Sequence, residues 1–226
     1  VKIDGDPNPY LPEFKGTIAS LPALQRAAAG NGAITFNPDP DGIVRRVPLM
    51  LMLGDEPVPS LVSEALRVGQ GERNYFIRSG EYQSVGVVEM RIGQFTIPTT
   101  PTGELWLHYT EPVPERYVPA WKVLAGEIPA EALSGHLLLV GSSAQGLMDL
   151  RFNPMGRIMP GVEAHAQGLE QVLGEQYLLR PGWGFTIEFL VILAGGLLVG
   201  VAATTGGAVT SALFTFAILL FTGWGG

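Results

Sequence analysis

FTIEFLVILAGGLLVGVAA (185–203) and AVTSALFTFAILLFTGW (208–224), parted only by Thr204-Thr205-Gly206-Gly207, decide how this chain is organised. Glu188, near the start of the first run, is the last charged residue; 189–226 holds no Asp, Glu, Lys, Arg or His. A helix rises about 1.5 Å per residue, so a run of about 19 residues reaches about 28 Å, close to the hydrocarbon thickness of a bilayer. The competing reading is a buried hairpin of a soluble protein. A soluble helix carries a polar stripe, and neither run has one. Gly195, Gly196, Gly200, Gly206 and Gly207 also suit close helix packing in lipid. The sequence predicts a transmembrane α-helical hairpin, with spans at 185–203 and 208–224, behind a soluble module at 1–180.

Composition agrees with that division. Mean hydropathy is positive, +0.25, although every charge lies at or before Glu188. The first 180-odd residues have the length of one ordinary domain. The formal charge of −7 argues against nucleic acid as a partner and against a basic membrane-surface patch. There is no cysteine, which excludes a disulfide framework, a thiolate nucleophile and a cysteine metal site. The chain opens on Val1 without an initiator Met or a signal-peptide pattern, and reads as part of a longer protein cut at both ends. Two spans return a chain to its starting side, so a cytoplasmic output would require a third apolar run after 226.

Upstream of the membrane, turn chemistry and periodicity give a coarse map. A helix is expected around 21–29, stopped by Gly30-Asn31-Gly32. Residues 33–37 read as a short buried strand, and 43–53 as its return. Between them Pro38-Asp39-Pro40-Asp41-Gly42 makes a tight turn, so 33–53 is expected to be a hairpin. Pro59-Ser60 caps a helix over 61–68, with Glu64 in its first turn. Residues 75–109 are β-rich: 76–77, 85–92, 95–97 and 105–109 have strand character, with Gly93-Gln94 as a turn. Short helices follow at 119–125 and from Pro129. His136-Leu137-Leu138-Leu139-Val140 is a nearly continuous apolar run ending in Gly141-Ser142-Ser143, the pattern of a central strand buried on both faces. Helical spacing of Val162, Ala166, Leu169 and Leu173 marks a last helix over 161–173. Strands alternating with helices predict an α/β module with a mixed sheet and flanking helices.

No catalytic constellation emerges. Gly141-Ser142-Ser143-Ala144 lacks the Gly-x-Ser-x-Gly elbow of a hydrolase. The three histidines, at 108, 136 and 165, are scattered, which disfavours a histidine metal centre. No phosphate-binding glycine loop is present. Neither a cofactor nor a metal is expected. Arg45 and Arg46 are neighbours on a predicted strand, so at most one of them can line a shared site. Asp149 and Arg151 are placed to form a local ion pair, and Glu163 and His165 cannot face the same side of their helix. In α/β sheets, ligands gather beyond the carboxyl ends of strands, and a helix start favours an anionic or polar ligand. On that rule the candidate ligand-binding residues are Ser142, Ser143, Asp149, Arg151, Glu163 and His165. His165 would also make a response pH-dependent. Loop anchoring and helix capping are the alternative role for the charged residues.

Ordered motifs carry a resemblance beyond this point. Asn37-Pro38-Asp39-Pro40-Asp41-Gly42-Ile43-Val44-Arg45-Arg46-Val47-Pro48-Leu49, followed by Val58-Pro59-Ser60-Leu61, resembles the type-2 CHASE domain. Ile97-Pro98 with 103–109, then 133–144, then Met159-Pro160-Gly161-Val162-Glu163-Ala164-His165-Ala166, match in the expected order. Leu178-Leu179-Arg180-Pro181 closes the match ahead of the first apolar run. The resemblance covers about 20–224; the front departs, because family members normally begin with a membrane helix and more of the α/β domain. It implies a bacterial receptor anchored in the inner or plasma membrane: an extracytoplasmic sensor, membrane helices and a cytoplasmic output domain. Outputs in the family are class III adenylate or guanylate cyclases, histidine kinases or Ser/Thr kinases, with a cyclase the leading expectation. The expected partners are membrane lipid, a second copy in a homodimer, and a small-molecule or protein stimulus. A structural dimerisation module and a membrane-anchored hydrolase are the other classes; the segment itself is expected to have no enzymatic activity.

Overall fold

A computed structural model describes residues 1–80, 85–142, 149–179 and 183–224. The chain forms two compact units, Val1–Leu178 and Leu179–Gly226.

Strands and helices of the first unit alternate as the pattern requires. They begin with β1 (Lys2–Asp4), β2 (Glu13–Phe14), α1 (Pro22–Ala27), β3 (Arg46–Pro48), β4 (Met50–Leu53), β5 (Glu56–Pro59) and α2 (Leu61–Gly69). Next come β6 (Tyr75–Ser79), β7 (Val87–Ile92), β8 (Phe95–Pro98), β9 (Glu104–Trp106) and α3 (Ala120–Leu124). β10 (Leu150–Phe152), β11 (Ile158–Pro160) and α4 (Gly161–Leu173) complete the unit. The largest sheet has the order β1-β6-β7-β8, with β1 parallel to β6 and the other pairs antiparallel. β2-β4-β5, β3-β9 and β10-β11 make smaller sheets. The architecture is the expected α/β mixture.

Local signals explain the elements that position the later helices. Ser60 caps α2, its hydroxyl oxygen accepting from the Ser63 backbone N–H at 3.3 Å. Glu64 sits in the first turn and Arg67 in the last, each favourably placed in the helix dipole. The apolar face of α2, Val62 and Leu66, packs into a core with Val47, Leu49, Ile77, Met90, Ile92, Ile97 and Leu105. α4 joins the same core through Ala164, Leu169 and Val172. At Gly168 an added Cβ would lie 3.3 Å from Leu107 and 3.4 Å from Val47, so glycine lets α4 close on this layer. Two buried glutamines on α4 reach the chain after β9: Gln167 Oε1 accepts from the Thr110 N–H at 3.2 Å, and Gln171 Oε1 from the His108 N–H at 2.9 Å.

Two expectations about strands are overturned. The turn at 38–42 forms, with the Gly42 N–H donating to the Asp39 carbonyl at 2.8 Å and Gly42 at φ 79°. Its flanks do not make a 33–53 hairpin. Ala33 bridges Ser60, Ile43 bridges Phe152, and β3 pairs with β9. The actual hairpin is β4–β5, across Gly54-Asp55. The run 136–140 belongs to no strand and is not buried on both faces: Leu138 is 57% and Val140 92% exposed, and only Leu139 leans on the core. A continuous apolar run becomes a central strand only where strands flank it on both sides, and none does among the described residues.

In the second unit, α5 (Gly184–Trp224) is broken at Gly207, whose φ of 77° and ψ of −174° lie where only glycine is comfortable. Helix runs on through Thr204, Thr205 and Gly206, so the interruption is one residue rather than four. Ile218 Cδ1 lies 3.7 Å from where a Cβ on Gly195 would sit. Those residues would be about 34 Å apart along a straight helix, so the second segment doubles back on the first. Gly184–Thr210, 27 residues whose most apolar 18 have a mean hydropathy of 2.3, is long and apolar enough to cross a membrane.

Candidate functional site

β11 hands directly over to α4, and four of the six expected site residues meet at or beside that junction. The Gly161 N–H donates to the Asp149 carbonyl at 2.7 Å, and any side chain at Gly161 would collide with the Asp149 carboxylate. Asp149 thus occupies the α4 start itself. That carboxylate complements the helix dipole and disfavours a free anion there. Arg151 Nη2 pairs with Asp149 Oδ1 at 3.2 Å, as the spacing suggested. The Arg151 guanidinium also lies 5.7 Å from the centre of the Phe36 ring.

Phe36 in turn stacks on His165, centroids 4.4 Å apart and planes 29° from parallel. His165 is 2% exposed. Its Nε2 lies 3.4 Å from the Ile34 carbonyl oxygen, and its Nδ1 is buried with no partner among the described residues. Desolvation pushes the imidazole below its ordinary value; the Ile34 carbonyl and Asp149 oppose that and Arg151 reinforces it.

Glu163 does face away from His165, toward Tyr109 and Tyr117. Burial first, and then the Glu163 charge, hold both phenols above their ordinary value, Tyr117 at about 12. Ser142 is exposed, one residue beyond Gly141, where an added Cβ would lie 2.5 Å from Val162. Ser143 lies outside the described residues. Because 136–140 is not a strand, Asp149, Arg151, Glu163 and His165 lie at or beside the β11–α4 junction and not at the carboxyl end of a central strand. Phe36, Ile34, Tyr109 and Tyr117 were not singled out in the sequence, because each reaches α4 from far along the chain.

A second charged cluster clamps the 38–42 turn. Arg45 pairs with Asp39 at 2.7 Å and with Asp41 at 2.8 Å. Arg46 also pairs with Asp39, and with the buried Glu104 at 3.2 Å, while its guanidinium lies 5.1 Å from the Trp106 ring. Both arginines therefore converge on Asp39, against the expectation that only one could serve a shared site. Arg45 precedes β3, so strand alternation does not govern it, and both side chains are long enough to reach the turn. Arg45 first, then Arg46, holds the Asp39 carboxyl below its ordinary value against a desolvation that raises it. Hydrogen bonding from Arg45 lowers Asp41 to about 2.

Together these features define a class: an α/β module followed in the chain by an apolar helix able to span a membrane. The CHASE2 domain model matches residues 4–202, from the first strand into α5. The chain belongs to the CHASE2 domain family, extracellular sensor domains of signalling receptors. Neither the curated proteins nor the solved structures include a match.

Proposed function

We propose that this chain is the sensing and membrane-anchoring part of a bacterial receptor that controls a cytoplasmic nucleotide cyclase. Its support is the family match over 4–202, which takes in the soluble unit and most of the first apolar run. In this reading 1–180 lies outside the cytoplasm, 185–203 and 208–224 sit in the inner or plasma membrane, and two copies act as a homodimer. The stimulus, a small molecule or a protein, is read by Ser142, Ser143, Asp149, Arg151, Glu163 and His165, the last four at or beside the start of α4. The Asp149–Arg151 pair beside a buried histidine supports that choice, since ionisable groups held together next to a helix start are ones a ligand can perturb.

The test uses the gene extended by about 250 residues, one or two domains' worth. Membranes carrying the product are assayed for cyclic nucleotide formation from ATP and GTP, and for phosphate transfer to protein. Cyclic nucleotide supports the reading; phosphotransfer replaces the cyclase with a kinase. Output indifferent to Ser143→Ala, Arg151→Ala and His165→Ala in folded protein leaves a dimerisation module without a ligand at this place.

A further inference from the structure

His165 is the only buried histidine of the three; His108 and His136 are exposed. Its contacts suit one protonation state. With the Nε2 hydrogen aimed at the Ile34 carbonyl, the neutral ring leaves a bare lone pair on Nδ1. Protonation would place an N–H and a positive charge at that buried edge, which has no partner among the described residues, and this is costly away from water.

The neighbours offer little compensation. Asp149 favours the charged ring and Arg151 opposes it, while the two are paired with each other. On α2, Glu64 and Arg67 are paired to each other and Glu64 also bonds the Tyr75 hydroxyl. Arg46 on β3 is engaged by Asp39 and Glu104. β8 and β11 carry no titratable side chain, and Glu163 on α4 faces Tyr109 and Tyr117.

We propose that His165 is a proton-operated clasp: neutral, it holds 34–36 against the start of α4, and protonation drives the ring out of that contact and frees the segment. α4 is the last helix before α5 in the chain, so the clasp acts on the element that leads to the membrane. The sign follows from linkage. The native state binds the proton less well than the unfolded chain, so the clasp is intact above about pH 6.5 and weakens as pH falls below it. That protons are a stimulus rests on the sensor reading; the clasp itself does not.

The whole chain in lipid nanodiscs provides the test. Three histidine ring signals are followed by NMR from pH 8 to 4.5, and His165→Gln assigns one of them. His165 should titrate below about 6.5, the ordinary histidine value, with faster amide exchange at 33–36 and 161–165 as it does so. His165→Phe, which keeps a ring beside Phe36, should remove the acid loss of melting temperature. Arg151→Gln should move the His165 midpoint upward and Asp149→Asn downward. If His165→Phe fails to fold, those two shifts decide. A His165 midpoint at or above about 6.5, or an acid transition that loosens β6–β8 together with 33–36, overturns the clasp. A His165 that titrates as stated while the full receptor's output ignores pH would instead sink the sensing role and leave the clasp standing.

Discussion

The Gln171 side chain on α4 closes on the backbone of Trp106: its Nε2 donates to the Trp106 carbonyl oxygen at 2.8 Å while its Oε1 takes the next N–H but one, from His108. One amide thus satisfies a donor and an acceptor that a neighbouring strand would otherwise meet.

Removing that amide should therefore cost more than removing a surface charge on the same helix. Gln171→Leu strands a backbone N–H and a C=O, each worth about 1–3 kcal/mol when buried. Glu170→Ala breaks only the exposed pair with Arg116, 2.6 Å long, which water screens, and should leave stability nearly unchanged. Urea unfolding of both variants compares them; equal midpoints would show that the amide stabilises nothing.

The core lies where β3, β4, β6, β7, β8, β9, α2 and α4 meet, and not along 136–140. Leu49 is fully buried, so Leu49→Ala should cost about 2–5 kcal/mol. Leu138, more than half exposed, should tolerate alanine within about 0.5 kcal/mol. Thermal melts of the two variants settle the contrast, and a Leu138→Ala loss as large as that of Leu49→Ala would restore the central-strand reading.

That contrast also marks what the sequence can tell. Signals that act within a few residues came through: the Ser60 cap, the Gly93-Gln94 turn, the glycine at 42, the periodicity of α4 and the two apolar runs. What failed needed a partner far away. Residues 136–140 are apolar on both faces, but strand formation depends on neighbours that composition cannot name. The 38–42 turn was legible, while the pairing of Arg46–Pro48 with Glu104–Trp106 was not. The candidate site behaved likewise: Asp149 and Arg151, two apart, were paired correctly, whereas His165 takes its environment from Ile34, 131 residues away.

The two arginines beside the turn should differ in effect. Arg46 holds the buried Glu104 carboxylate, and Arg46→Ala leaves that charge uncompensated, at a cost of about 3 kcal/mol, the lower end for a broken buried pair. Arg45→Ala loses pairs that are open to water and screened by it, and should cost less than Arg46→Ala. Both Asp39 and Asp41 sit below their ordinary value, so the stability they contribute is present above about pH 4 and fades as pH falls toward 2. Acid unfolding of Arg45→Ala should lack part of that loss. Identical acid curves for wild type and Arg45→Ala would exclude the clamp as its source.

The break at Gly207 predicts a topology. A chain that crosses the bilayer in one segment of α5 and doubles back at Gly207 emerges on the side it entered. The connection carries no charge, so the positive-inside rule gives no orientation and the geometry has to decide. Reporters fused at 179 and at 226 should register the same, extracytoplasmic side, and one inserted at 207 the opposite side. Gly207→Val forces a β-branched residue into φ 77° and should open the hairpin, reducing the extracytoplasmic signal at 226 while leaving that at 179 unchanged. A cytoplasmic signal at 226 in the wild-type chain would mean that the helix passes straight through and that the contact between Gly195 and Ile218 does not survive in the membrane.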